Sequence, residues 1–200
     1  MKIFLDDERT PPEGWELVHW PEEVIRLLKE GKVEELSLDH DLGDDEHGTG
    51  YDVILWIEEA VATLEGADKT IAMPSGLGAI AGTLMALLKS GDHLLMTDSV
   101  YYPARKFCDV HLKQYGIETT YYNPLIGSGI SELIQDNTRV CFTETPGSIS
   151  FEVQDVPAIA KAAHERDVLV VTDITWSGGY YYAPFEKGAD VSIQAATKYI

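Results

Sequence analysis

The strongest constraint on the fold of this chain is a short hydrophobic run near its end. Residues 168–172 read VLVVT, and Asp173 follows them directly. Because the run does not alternate between apolar and polar side chains, it predicts a strand buried on both faces, which is typical of a parallel sheet covered by helices. The sequence therefore predicts an α/β fold.

The residues from about 61 onward repeat this order of strand and helix. Short apolar runs predict further strands, at 71–73, 93–97, 119–122, 139–143 and 191–194. Apolar residues at helical spacing predict three helices between them, within 76–88, 102–115 and 156–166. This alternation predicts a mostly parallel sheet with helices on both faces.

The first 60 residues form a second segment with a different composition. They contain 18 acidic and 5 basic side chains, whereas residues 61–200 contain 16 and 10. Their apolar runs predict another small parallel sheet, with strands at 2–5, 15–20 and 35–38 and helices from Pro21 and over 51–60. No Gly/Ser-rich or Pro-rich linker separates the segments, so we predict domains at 1–60 and 61–200 that meet inside a helical run.

The charge of the chain argues against two classes of partner. With 15 Lys and Arg against 34 Asp and Glu, its net charge is −19, and such a surface repels nucleic acid and anionic membranes. The N-terminal apolar run is too short for a signal peptide, and no stretch approaches the roughly 20 apolar residues that span a bilayer. The two cysteines, Cys108 and Cys141, lack metal-ligand spacing. We expect a cytoplasmic protein with two ordinary buried thiols.

Three carboxylates of the first segment follow predicted strands. Asp6 and Asp7 come after the strand at 2–5, and Asp39 comes after the strand at 35–38. Because ligands bind beyond the carboxyl ends of parallel strands, we expect these groups to converge at one edge and to suit a divalent cation such as Mg2+. The alternative is that these aspartates cap helices and solvate loops.

Three short motifs surround these carboxylates. They read FLDDE (4–8), SLDHDLG (37–43) and GTGYDVILWI (48–57). Together they resemble the acidic pair, the phosphoacceptor strand and the following helix of the cyclic-phosphate receivers, over about the first 58 residues. The resemblance implies metal-binding positions at Asp6 and Asp7 and a phosphoryl acceptor at Asp39.

Three features of the second segment can carry chemistry. Ser75-Gly76-Leu77 stands at a helix N-terminus, where free N–H groups bind an anion. Asp173 follows a buried strand and needs a cationic partner. Lys198 follows the small, nearly uncharged residues 192–197, a setting that favours a neutral, nucleophilic amine. Each alone can be a turn, a helix cap or a solvated lysine, but together they are the parts by which a protein holds pyridoxal phosphate (PLP).

Five longer sequence blocks contain these features. They read LEGADKTIAMPSGLGAI (64–80), GDHLLMTDSVYYPARKFC (91–108), TPGSISFEVQDVPAIAKAAH (145–164), VVTDITWSGG (170–179) and GADVSIQAATKYI (188–200). Over about 140 residues they resemble the fold-type I, PLP-dependent enzymes of cysteine and methionine metabolism, and among these the cystathionine β-lyases.

The resemblance implies contacts to the cofactor phosphate and ring. Gly76 and Leu77 would donate backbone N–H groups to the phosphate, and Thr197 would donate its hydroxyl. Tyr101 would stack on the pyridine ring. The alternative for Tyr101 is a partly buried loop aromatic, since the chain has 10 tyrosines.

The resemblance also implies a reaction. Asp173 would keep the ring nitrogen protonated, and Lys198 would hold the cofactor covalently and then remove the Cα proton of an amino-acid substrate. The implied reaction is β-elimination of a thioether amino acid, in which cystathionine gives homocysteine, pyruvate and ammonia. The implied assembly is a homo-oligomer.

The sequence departs from the family pattern in two places. Ile174 stands where the family has an asparagine after the cofactor aspartate. The family's N-terminal Tyr-x-Arg motif and its small domain, with the arginine that binds the substrate carboxylate, have no counterpart, which predicts a chimera or a truncated fusion. Two further functions therefore stand beside the lyase: a phosphoacceptor module at Asp39 and an inactive α/β scaffold.

Overall fold

The structure is a computed structural model that describes residues 1–40, 42–43 and 47–198. The chain forms two compact units. One consists of Met1–Thr63 with Asp68–Ala72, and the other of Leu64–Ala67 with Met73–Ile200. Within the described residues, no helix combines the length and the hydrophobicity needed to cross a bilayer.

The first unit contains a sheet of three parallel strands. These are β1 (Lys2–Leu5), β2 (Trp15–Val18) and β3 (Glu35–Leu38), in the order β2-β1-β3. Helix α1 (Pro21–Lys29) begins with a proline, which suits the first turn because no N–H is needed there. Helix α2 spans Gly50–Glu65. Its Val53 packs with Val24 of α1 and with Ile3 and Leu5 of β1 in one core.

The second unit contains a sheet of five strands in which every neighbouring pair is parallel. They are β4 (His93–Thr97), β5 (Glu118–Tyr122), β6 (Thr138–Glu144), β7 (Leu169–Asp173) and β8 (Val191–Ile193), in the order β5-β4-β6-β7-β8. The helices are α3 (Gly76–Leu87), α4 (Tyr102–Phe107), which continues as a π-helical turn over Cys108–Leu112, and α5 (Val156–His164). Two 3-10 helices cover Gly127–Leu133 and Phe185–Lys187.

Both faces of this sheet are covered, as the sequence predicted. Side chains alternate along each strand, so that Val171 packs on one face with α3 and α4 and Val170 packs on the other with α5 and the first 3-10 helix. Phe142 and Cys141 of β6 divide between the faces in the same way. Residues 168–172 therefore lack polar alternation for the predicted reason, namely that their strand is covered by helices on both faces.

One predicted element is wrong, and several bounds shift. Residues 71–73 form no strand, and Ile71 and Met73 are exposed. An apolar run of three residues needs a neighbouring strand to pair with, and neither sheet provides one here. At the other end of the chain β7 includes Asp173, one residue beyond the predicted strand. Cys108 and Cys141 are buried, free thiols, as expected.

Candidate functional site

The carboxyl edge of the five-stranded sheet brings two buried carboxylates side by side. Glu144 is the last residue of β6 and Asp173 the last residue of β7, and the two are register partners. Asp173 in turn pairs with Ile193, the last residue of β8. Because the strands are parallel, all three residues lie at one edge of the sheet, where α/β proteins bind ligands.

Asp173 is a buried carboxylate without a counter-charge. Its side chain is 7% exposed, and Oδ1 accepts a hydrogen bond of 2.9 Å from the backbone N–H of Thr175. No ion pair to Asp173 occurs within the part of the chain that the structure describes. Burial raises the pKa of the Asp173 carboxyl, and the contacts with Thr175 only partly oppose this. A cationic N–H from a ligand would complete such a site.

Helix α3 begins beside the loop that follows β8. The Ser75 hydroxyl accepts the N–H of Gly78 at 3.0 Å and so caps the helix. A Cβ on Gly76 would lie 2.9 Å from the Cβ of Ala195, so this close approach requires glycine. The N–H groups of Gly76 and Leu77 belong to the first helical turn and have no partner within the helix, which suits them to an anion.

The loop after β8 is tied to Asp173 through Thr175. The N–H of Ala195 donates to the Thr175 hydroxyl at 2.9 Å, and the N–H of Lys198 donates to the Ala195 carbonyl at 3.0 Å. The side chains of Thr197 and Lys198 are exposed. The role expected of Lys198 stays a prediction.

Tyr101 reaches the same edge through its backbone. It immediately precedes α4, its side chain is 44% exposed, and its N–H donates to Oε2 of Glu144 at 2.8 Å. The structure thus connects the first turn of α3, Tyr101, Asp173 and the Lys198 loop by contacts around one sheet edge. Each of these residues was predicted from the sequence as part of a site, whereas Glu144 was not.

Glu144 is the second buried carboxyl of this edge, and its acidity is altered as well. It is 2% exposed, and Oε1 is buried without a hydrogen-bond partner among the described residues. Burial raises the pKa of Glu144 from 4.5 to about 7, and the neighbouring charge of Asp173 adds to this effect, whereas Ser148 and the Tyr101 N–H oppose it. A carboxyl that titrates near neutrality at a strand end marks a functional-site candidate.

The first unit brings its three carboxylates together, as the sequence predicted. One oxygen each from Asp6, Asp7 and Asp39 lies within 4.8 Å of the others. Arg9 occupies this cluster: its Nε pairs with Asp6, and its Nη2 lies 3.0 Å from Asp39 Oδ2. The guanidinium therefore takes up oxygens that a divalent cation would need, and the donor set does not support the expected Mg2+ site.

Asp6 is held in its charged form by its own turn. Its Oδ1 accepts N–H groups from Glu8 at 3.0 Å and from Arg9 at 2.7 Å. Burial alone would raise the pKa of Asp6, but these hydrogen bonds and the Arg9 guanidinium outweigh it and leave the pKa below its ordinary value. Asp6 and Arg9 thus form an internal ion pair at the end of β1.

The carboxyl edge of the second unit defines a class of protein. An anion-binding helix start, a buried unpaired carboxylate and a lysine on the next loop characterise α/β proteins that hold a phosphorylated cofactor. Residues 53–200 match the family model described as Cys/Met metabolism PLP-dependent enzyme, and the chain belongs to that family. Residues 1–76 match the model of the cyclic-phosphate processing receiver domain. Both resemblances found in the sequence are confirmed.

Individual relatives match this chain only over part of their own length. A Rhizobium johnstonii protein provisionally named cystathionine beta-lyase is 48% identical over 141 residues, which are 70% of this chain and 36% of that protein. Cystathionine beta-lyase MetC of Escherichia coli (strain K12) is 41% identical over 146 residues, 72% of this chain and 37% of that protein. The crystal structure of metB from Corynebacterium glutamicum gives a TM-score of 0.71 at 30% identity, over 76% of this chain and 39% of that one. The chain thus spans less than half the length of these relatives.

Proposed function

We propose that this chain binds PLP at the carboxyl edge of the five-stranded sheet and acts as a carbon–sulfur lyase on a thioether amino acid. The observation that carries the proposal is Asp173, a buried carboxylate that has no cationic partner among residues 1–40, 42–43 and 47–198 and is joined through Thr175 and Ala195 to the start of α3. The protonated ring nitrogen and the phosphate of PLP are the cation and the anion that suit these two places.

Each proposed contact has a counterpart in this chain. The N–H groups of Gly76 and Leu77 would bind the phosphate from the start of α3, and the exposed hydroxyl of Thr197 would join them. The ring of Tyr101 would stack on the pyridine ring, since Tyr101 stands at the same edge and its side chain is partly exposed. The close approach of Gly76 to Ala195 supports a tight phosphate site.

The reacting groups would be Asp173 and Lys198. When bound, the cofactor supplies an electron sink for the electron pair left at the substrate Cα. Asp173 would hold a proton on the ring nitrogen. The positive charge of that nitrogen would in turn lower the pKa of the Asp173 carboxyl, which burial raises in the chain alone. Lys198 Nζ would bind the cofactor and later take the Cα proton of the substrate.

For the substrate we propose cystathionine. Removal of the Cα proton allows the Cβ–S bond to break, so that cystathionine and water give homocysteine, pyruvate and ammonia. Two observations support this choice: the matched family acts in Cys/Met metabolism, and relatives 40–48% identical to this chain carry the name cystathionine beta-lyase.

We propose further that the chain works as a homo-oligomer in the cytoplasm. Several large apolar side chains of the second unit are exposed, and burial between copies would remove them from water; they include Phe151, Val153, Trp176, Tyr180 and Tyr181. The two free, buried thiols are consistent with a reducing compartment.

Adding PLP to the purified chain tests the proposal. We expect a visible absorption band, and after borohydride reduction the label should map to Lys198. The same sample should sediment as a homo-oligomer, heavier than the single chain of 22.2 kDa. Label scattered over exposed lysines such as Lys106 and Lys187, or no band at all, would contradict a specific site, and a stable monomer would contradict the assembly.

A second candidate function belongs to residues 1–60, which we propose form a separate receiver-like domain. The observation that favours it is Arg9, whose guanidinium lies 3.0 Å from Asp39 Oδ2 and would attract an incoming phosphoryl group. Asp39 would accept the phosphoryl group from an acyl phosphate: its carboxylate oxygen bonds to phosphorus while the donor's bond to phosphorus breaks and its carboxylate leaves. The match of residues 1–76 to the receiver model supports the proposal.

Labelling with acetyl phosphate tests this second function. We expect the wild type to take up the phosphoryl group and Asp39→Ala to lose it, because the neighbouring Asp6 carboxylate is already engaged by Arg9 and by the backbone N–H groups of its own turn. Asp68→Ala, a change at an exposed aspartate, serves as the matched control. Equal labelling of Asp39→Ala and wild type would refute an acceptor role. A folded chain that binds neither PLP nor a phosphoryl group would favour the inactive scaffold.

A further inference from the structure

Glu144 is a buried ionisable group to which the proposed function gives no task. Its backbone is fixed on three sides: β6 pairs it with Asp173 of β7, its carbonyl accepts the Gln154 amide at 2.8 Å, and the following Thr145 hydroxyl accepts the N–H of Gln154 at 3.0 Å. The carboxylate is thereby held in place at the end of a central strand. It can act as a rigid support for whatever it contacts.

The contact that it makes is the backbone of Tyr101. The N–H of Tyr101 donates to Glu144 Oε2 at 2.8 Å, while the Tyr101 carbonyl accepts the N–H groups of Ala104 at 2.9 Å and Arg105 at 3.2 Å. The residue is therefore fixed from both ends, by the sheet on one side and by the first turn of α4 on the other. Its own side chain forms no cap hydrogen bond to α4.

A carboxylate in this place is costly unless the contact is useful. Glu144 is 2% exposed, and its Oε1 receives no hydrogen bond from the described residues. An apolar side chain of similar size would avoid the desolvation of a charged group. The Tyr101 N–H, which donates to Oε2 at 2.8 Å, is a contact that requires an acceptor at this point.

We propose that Glu144 is a positioning residue that sets the Tyr101 ring over the cofactor site by holding the Tyr101 backbone. The proposal rests on the proposed function, which places that ring on the cofactor. Tyr101 precedes α4 and its ring is 44% exposed, so packing alone does not fix it. With the N–H released from Oε2, residues 98–101 lose their connection to β6 at this point, and the ring can leave the stacking position.

The test compares four variants in two kinds of measurement. Hydrogen exchange of the Tyr101 amide, without cofactor, reports the hydrogen bond directly. The affinity for PLP and the circular dichroism of its visible band report the stacked ring. Glu144→Leu and Glu144→Ala remove the acceptor, Glu144→Gln keeps one, and Thr143→Val changes the preceding buried residue of the same strand, whose hydroxyl contacts Val171 and not Tyr101.

We expect Glu144→Leu and Glu144→Ala to speed exchange at Tyr101 by about tenfold or more and to weaken PLP binding by about tenfold, the value of one such hydrogen bond. The dichroism of the visible band should fall as well. Glu144→Gln should restore amide protection and most of the affinity, and Thr143→Val should resemble the wild type. In a Tyr101→Ala background, Glu144→Leu should cost less than about twofold, because the residue it acts through is gone.

Two results would overturn the inference. One is an unchanged Tyr101 exchange rate in Glu144→Leu, and the other is an equal loss of PLP affinity with and without the Tyr101 ring. Failure of the proposed function is a different result: the wild type then binds no PLP, while the exchange rates alone still decide whether Glu144 holds Tyr101. If Glu144→Ala does not fold, Glu144→Leu, which fills the same volume, carries the measurement.

Discussion

Lys198→Ala is expected to abolish the visible band of lysine-bound PLP, leaving only the absorption of the free cofactor, and to reduce pyruvate release from cystathionine by at least about 100-fold, the usual contribution of a residue that transfers a proton. The N–H of Lys198 donates to the Ala195 carbonyl at 3.0 Å, which keeps the residue in the loop beside Gly76 and Thr175. An alanine there leaves no amine in that loop to bond the cofactor or to take the Cα proton.

The matched control is Lys187→Ala. Lys187 is exposed and ends the 3-10 helix Phe185–Lys187, which precedes the amino end of β8 rather than its carboxyl end. Its loss should leave both the band and the reaction at the wild-type level. A full-strength band in Lys198→Ala would show that PLP reacts elsewhere, and the assignment of Lys198 would then be wrong. We expect this variant to retain some non-covalent binding of PLP, which would be measured as affinity without the band of lysine-bound cofactor.

The position of Asp173 was predictable because a strand that is buried on both faces can occupy few places in a fold. A strand without polar alternation has to lie inside a parallel sheet, and a carboxylate at its end has to lie at the ligand-binding edge. The same argument placed Asp6, Asp7 and Asp39 together at the edge of the smaller sheet, where the structure has them within 4.8 Å of one another. In both units the run of apolar residues shows where a strand ends, and so places the carboxylate that follows it at the sheet edge.

Contacts that depend on strand order could not be predicted in this way. Glu144 ends a buried strand just as Asp173 does, and this signal could have marked it, but Glu144 was not among the residues selected from the sequence. Its partner, the Tyr101 backbone, lies 43 residues earlier, and the contact forms because β6 is the neighbour of β4 in the sheet. Arg9 is similar, since it reaches Asp39 only because β3 lies beside β1.

The departure at Ile174 also has a structural reason. Its side chain is completely buried, and its N–H donates to the Ile193 carbonyl at 2.8 Å, which extends the pairing of β7 and β8 by one step. An aliphatic residue suits such a place, whereas a polar amide would need a partner there. The Asp173 carboxylate is instead supported by Thr175, whose N–H it accepts, so the neighbouring isoleucine does not exclude a bound cofactor.

The acidity of Glu144 makes the stability of the chain depend on pH. Burial raises its pKa in the folded chain from 4.5 to about 7, so the folded state retains a proton that the unfolded state loses as the pH rises above 4.5. Stability falls wherever the folded state binds more protons, which here covers the range from about pH 4.5 to about pH 7. At 1.36 kcal/mol per pKa unit, the loss is about 3 kcal/mol by pH 8.

Glu144→Gln is therefore expected to stabilise the chain against urea at pH 8 by up to about 3 kcal/mol without PLP, and by little at pH 4.5, where the wild-type carboxyl is already neutral. The amide is nearly isosteric and still accepts the Tyr101 N–H, so the difference isolates the buried charge. Glu186→Gln, the same change at an exposed position, should alter stability equally at both pH values. Parallel pH profiles for Glu144→Gln and wild type would show that the carboxyl ionises in the folded chain as readily as in the unfolded one. A bound cation at Asp173 should reduce the difference in stability between Glu144→Gln and wild type at pH 8. The cation offsets the negative charge that Glu144 adds to the sheet edge when its carboxyl ionises.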